Sequence, residues 1–118
     1  MADLLIDTDI FVDHFRGARR LAVSGHTVWY SVVTRCELFA GTRPDEGALR
    51  TLLAPFHEVP VGRRIAERAG RVRRETGTRI ADAIIAATAL EHDLTLLTRN
   101  LHDFERIPGL RLAAPPSS

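Results

Sequence analysis

Lysine is absent from this 118-residue chain: all sixteen basic residues are arginine. That removes the phosphate-gripping lysine of a P-loop, and no G-x-x-x-x-G-K run is present. It also removes Schiff-base chemistry, which is left with only the N-terminal amine. Cysteine occurs once, as Cys36, so neither an internal disulfide nor a multi-thiolate zinc site can form, and a reducing cytoplasm is the expected setting. No H-x-x-x-H pair occurs; His14, His26, His57, His92 and His102 are scattered. Long apolar runs are missing too. The longest, Ala83 to Leu90, is alanine-rich, contains Thr88 and is far short of a membrane span. Met1-Ala2-Asp3 lacks the basic region of a signal peptide. No repeat, linker or low-complexity segment divides the chain, so one domain over residues 1–114 with a frayed tail at 115–118 is expected.

What is present is a globular balance, 45% hydrophobic and 26% charged, with a net charge of +1. That small net charge hides an uneven distribution. Asp3, Asp7, Asp9 and Asp13 fall within the first fifteen residues, which hold no arginine. Arg63, Arg64, Arg68, Arg71, Arg73, Arg74 and Arg79 stand between residues 61 and 80 against only Glu67 and Glu75. Such a pairing suits a polyanion held by arginines beside an acidic centre. A solvated helix with intrahelical ion pairs, Arg71 with Glu75 for example, is the simpler account of the arginine stretch taken alone, because charge runs usually mark exposed faces.

Strand-like and helix-like segments alternate. Leu4 to Ile6 is a short continuous apolar run, as in a strand buried on both faces. Asp9 to Arg16 reads as a short helix stopped by Gly17, and Thr27 to Tyr30 as a second strand. Ser31 is placed to cap a helix running to Ala40, with Gly41 at its end. Asp45 to Leu53 reads as a helix, His57 to Val61 as a strand, and Val61 to Thr76 as a basic amphipathic helix with Ile65, Ala69 and Val72 inside. Thr78 is placed to cap the next helix, Leu94 to Thr98 forms a fourth strand, and Leu110 to Ala113 an edge strand. The alternation predicts an α/β fold with a parallel sheet covered on both faces.

Four acids sit where such a sheet gathers chemistry. Asp7 follows the first strand, and Asn100 and Asp103 follow the fourth, so both groups lie beyond carboxyl ends of parallel strands. Asp82 opens a helix, where the helix dipole favours a negative charge. Ser31, Thr34 and Glu37 recur every third residue, which puts them on one side of a helix. Each acid alone has an ordinary reading as a turn, cap or surface residue; their convergence on one edge is what points to a site. Asp9 is explained by capping alone. Two carboxylates at about 4 Å repel by roughly 4 kcal/mol at an effective dielectric near 20, and a divalent cation offsets that. All-oxygen ligation selects Mg²⁺ or Mn²⁺, and hence phosphoester chemistry.

The pieces Ile6-Asp7-Thr8, Ser31-x-x-Thr34-x-x-Glu37-Leu38 with Gly41, Ala81-Asp82-Ala83-Ile84-Ile85-Ala86-Ala87-Thr88-Ala89 and Leu97-Thr98-Arg99-Asn100-x-x-Asp103-Phe104 occur in this order. With them the chain resembles PIN-domain ribonucleases of the VapC type, the toxins of bacterial toxin–antitoxin pairs. The resemblance implies a three-layer α/β/α sandwich around a parallel sheet of four to five strands and metal-dependent cleavage of RNA. It implies Asp7 and Asp82 as metal ligands, Glu37 and Asp103 beside them in catalysis, and Ser31, Thr34, Arg99 and Asn100 supporting the site or the substrate. It also implies Mg²⁺ or Mn²⁺ as cofactor, homodimers, and a cognate antitoxin whose tail covers the acidic groove, with Phe11 and Phe39 either lining that groove or serving the core. Two alternatives remain open: a PIN-like domain that binds RNA or protein without cutting, and an aspartyl-phosphate phosphatase using Asp7-Thr8-Asp9, which normally also wants a lysine.

Overall fold

The computed structural model describes residues 3–17, 21, 23, 25–42 and 45–116. Five strands form one fully parallel sheet in the order β3-β2-β1-β4-β5: β1 (Asp3–Ile6), β2 (Thr27–Ser31), β3 (His57–Val59), β4 (Thr95–Leu97) and β5 (Leu112–Ala113). Between them run α1 (Thr8–Phe15), α2 (Val32–Phe39), α3 (Glu46–Leu53), α4 (Arg63–Thr76), α5 (Ile80–His92) and α6 (Leu101–Phe104).

Successive side chains of a strand face opposite sides of the sheet, and β1 shows it. Leu5 enters the layer built by α4 and α5, packed with Leu96, Ile65, Ala69, Val72 and Ile85. Leu4 and Ile6 enter the opposite layer with Phe11, Val28, Tyr30, Leu49 and Leu53 from α1, β2 and α3. The result is the expected α/β/α sandwich. Helix α5 carries small side chains on its buried surface, Ala83, Ala86, Ala87 and Ala89, so it can lie close to its neighbours without the strain of large groups. The α4–α5 turn needs a left-handed residue, and Gly77 supplies it at φ 77°.

Several local expectations are corrected. Thr78 does not cap α5: Arg79 is the N-cap, with no side-chain cap bond, while the Thr78 hydroxyl is taken by Thr76 at 2.6 Å. Gly41 does stand just past the Ala40 C-cap of α2 as expected, though without left-handed backbone. Arg71 and Glu75 form no ion pair; the arginines of α4 that do pair, Arg64 and Arg68, reach across to Glu91 on α5. Phe11 is fully buried against Tyr30 and Phe56, so it belongs to the core and cannot line a groove. In the expected tail, residues 115 and 116 belong to no helix or strand, and residues 117 and 118 lie outside the described residues. Among the described residues no helix is long and apolar enough to cross a membrane.

Candidate active site

The order β3-β2-β1-β4-β5 reverses direction at β1, whose neighbours on the two sides are β2 and β4. Ligands of open parallel sheets gather outside the carboxyl ends of strands at such a point. Asp7 is the first residue past β1 and the N-cap of α1. Its N–H donates to the Leu97 carbonyl at 3.0 Å, which ties it to the end of β4. Its Oδ1 accepts from the Thr8 N–H at 2.8 Å and its Oδ2 from the Thr98 hydroxyl at 2.7 Å. Only 4% of Asp7 is exposed, and among the described residues no basic side chain pairs with it. Burial, reinforced by Asp9 and Asp82 and opposed by these two hydrogen bonds, pushes its carboxyl up to about 7.

A cleft of about 220 Å³ opens beside it, lined by all four expected acids (Asp7, Glu37, Asp82 and Asp103) and also by Arg99 and Asn100. Glu37, on α2, accepts from the Thr8 hydroxyl at 2.7 Å, and Thr34 stands 2.9 Å from the same hydroxyl. Thr8 has one hydroxyl proton and gives it to Glu37, so Thr34 donates to Thr8. Thr34 thus supports the site from one layer behind. Ser31 sits farther back: fully buried, its hydroxyl caps α2 by accepting from the Val33 N–H at 3.1 Å, and it does not line the cleft. Asp82, in the first turn of α5, pairs with Arg79 at 3.3 Å. Asp103 is exposed on α6.

Asp9 is a correction to its reading as a simple cap. Asp7 does the capping, whereas Asp9 also lines the cleft; its Oδ2 accepts from the Arg99 N–H at 3.1 Å and its Oδ1 is buried with no partner. Burial raises its pKa first, and the Arg99 backbone and guanidinium pull it back. Arg99 also reaches the buried Asp13 at 2.8 Å, so it fastens the loop after β4 to α1. Thr8, Asp9, Thr98 and Arg79 were missed as site residues. Thr98 and Thr8 stand inside quoted motifs, so their adjacency to Asp7 and Asn100 was the available signal.

The acids share a cleft but do not form a cage: among the described residues no three His, Cys, Asp or Glu side chains are placed to hold a metal ion together. The physical reason is that Thr8 engages Glu37, Arg79 engages Asp82, and Asp103 is exposed. A Mg²⁺-like ion needs less than a cage, because it retains waters and is commonly held by one or two carboxylates plus substrate phosphate. The buried, partnerless Oδ1 of Asp9 and the buried Asp7 carboxyl without a basic partner both fit a cation at this place.

Fold and cleft together define a class: α/β/α sandwiches that carry their carboxylates beyond the C-terminal edge of a parallel sheet. Residues 4–110 match the PIN domain model, and the chain belongs to the PIN-domain family. It is 37% identical to Ribonuclease VapC19 of Mycobacterium tuberculosis, over 91% of this chain and 96% of that protein. It is 38% identical to Ribonuclease VapC10 of the same organism, over 92% and 90%. Among solved structures, a toxin–antitoxin complex from Klebsiella pneumoniae aligns with a TM-score of 0.76 at 32% identity, covering 98% of this chain and 99% of that one. VapBC2 from Rickettsia felis, bound to a DNA fragment from its promoter, aligns with a TM-score of 0.81 over 97% and 99%; at 20% identity that likeness speaks for the fold alone.

Proposed function

We propose that this chain is a metal-dependent endoribonuclease, the toxin of a toxin–antitoxin pair, acting in the cytoplasm and held inactive by a cognate antitoxin. The observation that carries the reading is Asp7. It is a buried carboxyl without a basic partner, sharing one cleft with Asp82, in a chain related over nine-tenths of its length to ribonucleases. Hetero-oligomers with the antitoxin belong to the same proposal and are supported by the toxin–antitoxin complex that aligns along nearly the whole chain; homodimers are proposed with them.

Asp7 and Asp82 would hold Mg²⁺ or Mn²⁺. When bound, that ion supplies a lowered water pKa and polarises the phosphodiester. Asp7 is oriented for its part by the Thr98 hydroxyl and the Thr8 N–H. Glu37, which accepts from the Thr8 hydroxyl, would receive a proton from the attacking water unless the metal alone activates it. Asn100 and Asp103 lie at the mouth, where an RNA strand enters, and Arg99 keeps that mouth in register with α1. The phosphatase alternative is disfavoured by composition: that chemistry normally also wants a lysine, and the chain has none.

The test is purified protein incubated with total cellular RNA in Mn²⁺, Mg²⁺ or EDTA, beside Asp82→Asn. Discrete fragments that need the metal and drop at least about 100-fold in the variant are expected. Equal cleavage by the variant would sink the assignment. No cleavage by either protein, with the antitoxin stripped away, would favour a domain that binds without cutting.

A further inference from the structure

Two hollows meet at one side chain. The acidic cleft shares Arg79, Asp82 and Asp103 with a second cavity of about 190 Å³, whose other walls include Thr76, Thr78 and Arg106. The backbone beneath Arg79 is pinned. Arg73 donates to the carbonyls of Gly77 at 2.7 Å and Thr78 at 3.3 Å, and Arg106 donates to the Thr76 carbonyl at 3.2 Å. The side chain itself is not pinned: it is 75% exposed, and its hydrogen bond to Asp82 is long at 3.3 Å. Asp82, Glu37 and Asp103 all stabilise its positive charge, Asp82 most.

Resting on the metal-dependent ribonuclease reading, we propose that Arg79 exchanges partners: it neutralises Asp82 in the metal-free protein and, once a divalent cation takes Asp82, turns into the second cavity to hold, with Arg106, an RNA phosphate flanking the one that is cut. The exchange is cheap, because an exposed ion pair contributes little to stability. A guanidinium fork suits a phosphate better than it suits one carboxylate oxygen at long distance. Asp82 and Asp103 also wall the second cavity, so it accepts an anion only after their charge is offset. RNA grip at this place is therefore conditional on the cation, and Arg79 links the two events. Arg79 is a substrate-binding residue here, outside the chemical step.

The proposal gives opposite signs for one substitution. Arg79→Ala removes a competitor for Asp82 and should tighten Mn²⁺ binding about threefold, the scale of an exposed ion pair. The same substitution should weaken a short single-stranded RNA in Ca²⁺ about fivefold and reduce its salt dependence by about one phosphate contact. In EDTA its effect on RNA should nearly vanish. Arg106→Ala should weaken RNA in Ca²⁺ and leave Mn²⁺ unchanged, Arg79→Lys should restore part of the RNA affinity, and Arg111→Ala, on the opposite edge of the sheet with Asp93, should change neither. Mn²⁺ affinity is read without RNA from the electron paramagnetic resonance of the free ion, and RNA affinity from fluorescence anisotropy of the labelled strand. A wild-type protein that binds no Mn²⁺ overturns the metal-dependent reading and this proposal with it. Mn²⁺ bound equally by wild type and Arg79→Ala overturns the exchange while the ribonuclease reading stands. Equal RNA affinity of those two proteins in Ca²⁺ overturns the phosphate grip.

Discussion

Neutralising Asp7 should make the metal-free protein more stable, and by an amount that depends on pH in a defined window. The Asp7 carboxyl is pushed from an ordinary value near 3.8 up to about 7 by burial, then by Asp9 and Asp82. Between those values the folded chain binds a proton that the unfolded chain has released, so stability falls as pH rises through the window and is flat above it. A gap of about three pH units at about 1.4 kcal/mol each costs about 4 kcal/mol at pH 8. In Asp7→Asn this cost disappears. The amide keeps an acceptor for the Thr8 N–H, and its NH₂ meets a Thr98 oxygen that already accepts from Asn100 at 3.0 Å but retains a second lone pair. Allowing about 1 kcal/mol for the poorer hydrogen bond leaves about 3 kcal/mol. For a domain of this size that corresponds to about 10 °C in melting temperature at pH 8. Melts of both proteins in EDTA from pH 5 to 8.5 read it directly, and the difference between them cancels the titrating groups that do not interact with Asp7. The gap should shrink as pH falls toward 4. A variant less stable at pH 8, or a difference independent of pH, would refute the account of Asp7 as a buried carboxyl held against its solvation.

Other consequences are smaller or simpler. Thr98 is fully buried and gives its proton to Asp7; Thr98→Val should cost about 1–3 kcal/mol in urea unfolding, and should move the Asp7 window upward because that hydrogen bond is the larger of the two that hold it down. Leu5 is fully buried beneath α4 and α5, so Leu5→Ala should lose about 2–5 kcal/mol with the site residues unchanged in identity. Saturating Mn²⁺ at about a hundred times its Kd should stabilise the wild type by about 2.7 kcal/mol and Asp82→Asn much less, as a thermal shift.

Most of the frame was legible because each strand is announced locally. Leu4-Leu5-Ile6 has no polar position to spare, which in a short run bounded by Asp7 means burial on both faces, and the buried pattern of β1 bears this out. The positions of Asp7, Asp82 and Asp103 at one edge follow from parallel topology, without any knowledge of which strands are neighbours. What stayed hidden depends on contacts between residues far apart in sequence. Asp9 looks like a helix cap until Arg99, 90 residues later, takes one of its oxygens. Thr8 looks like turn chemistry until α2 brings Glu37 and Thr34 to its hydroxyl. Thr78 fits the local statistics of a cap, yet Thr76 two residues earlier captures it, a choice made by the α4–α5 turn. The absence of a closed cage also escaped the sequence, because arginine and threonine partners for the acids are set by tertiary packing.

The pairing of β1 with β4 has a consequence for how the molecule comes into being. Asp7 and Thr98 are 91 residues apart, yet the cleft needs both, and β1 has only β2 beside it until β4 arrives. At about 5–20 residues per second of synthesis, an emerging chain waits about 5–20 s between making Asp7 and making the strand that orients it. During that interval one edge of β1 is an open template for other strands, a hazard that grows with the delay. The acidic edge is thus assembled by the last fifth of the chain. On the ribonuclease reading, a half-made copy lacks the complete site while its message is still threaded through its own ribosome, since Thr98, one of the two groups that orient Asp7, has not yet been translated.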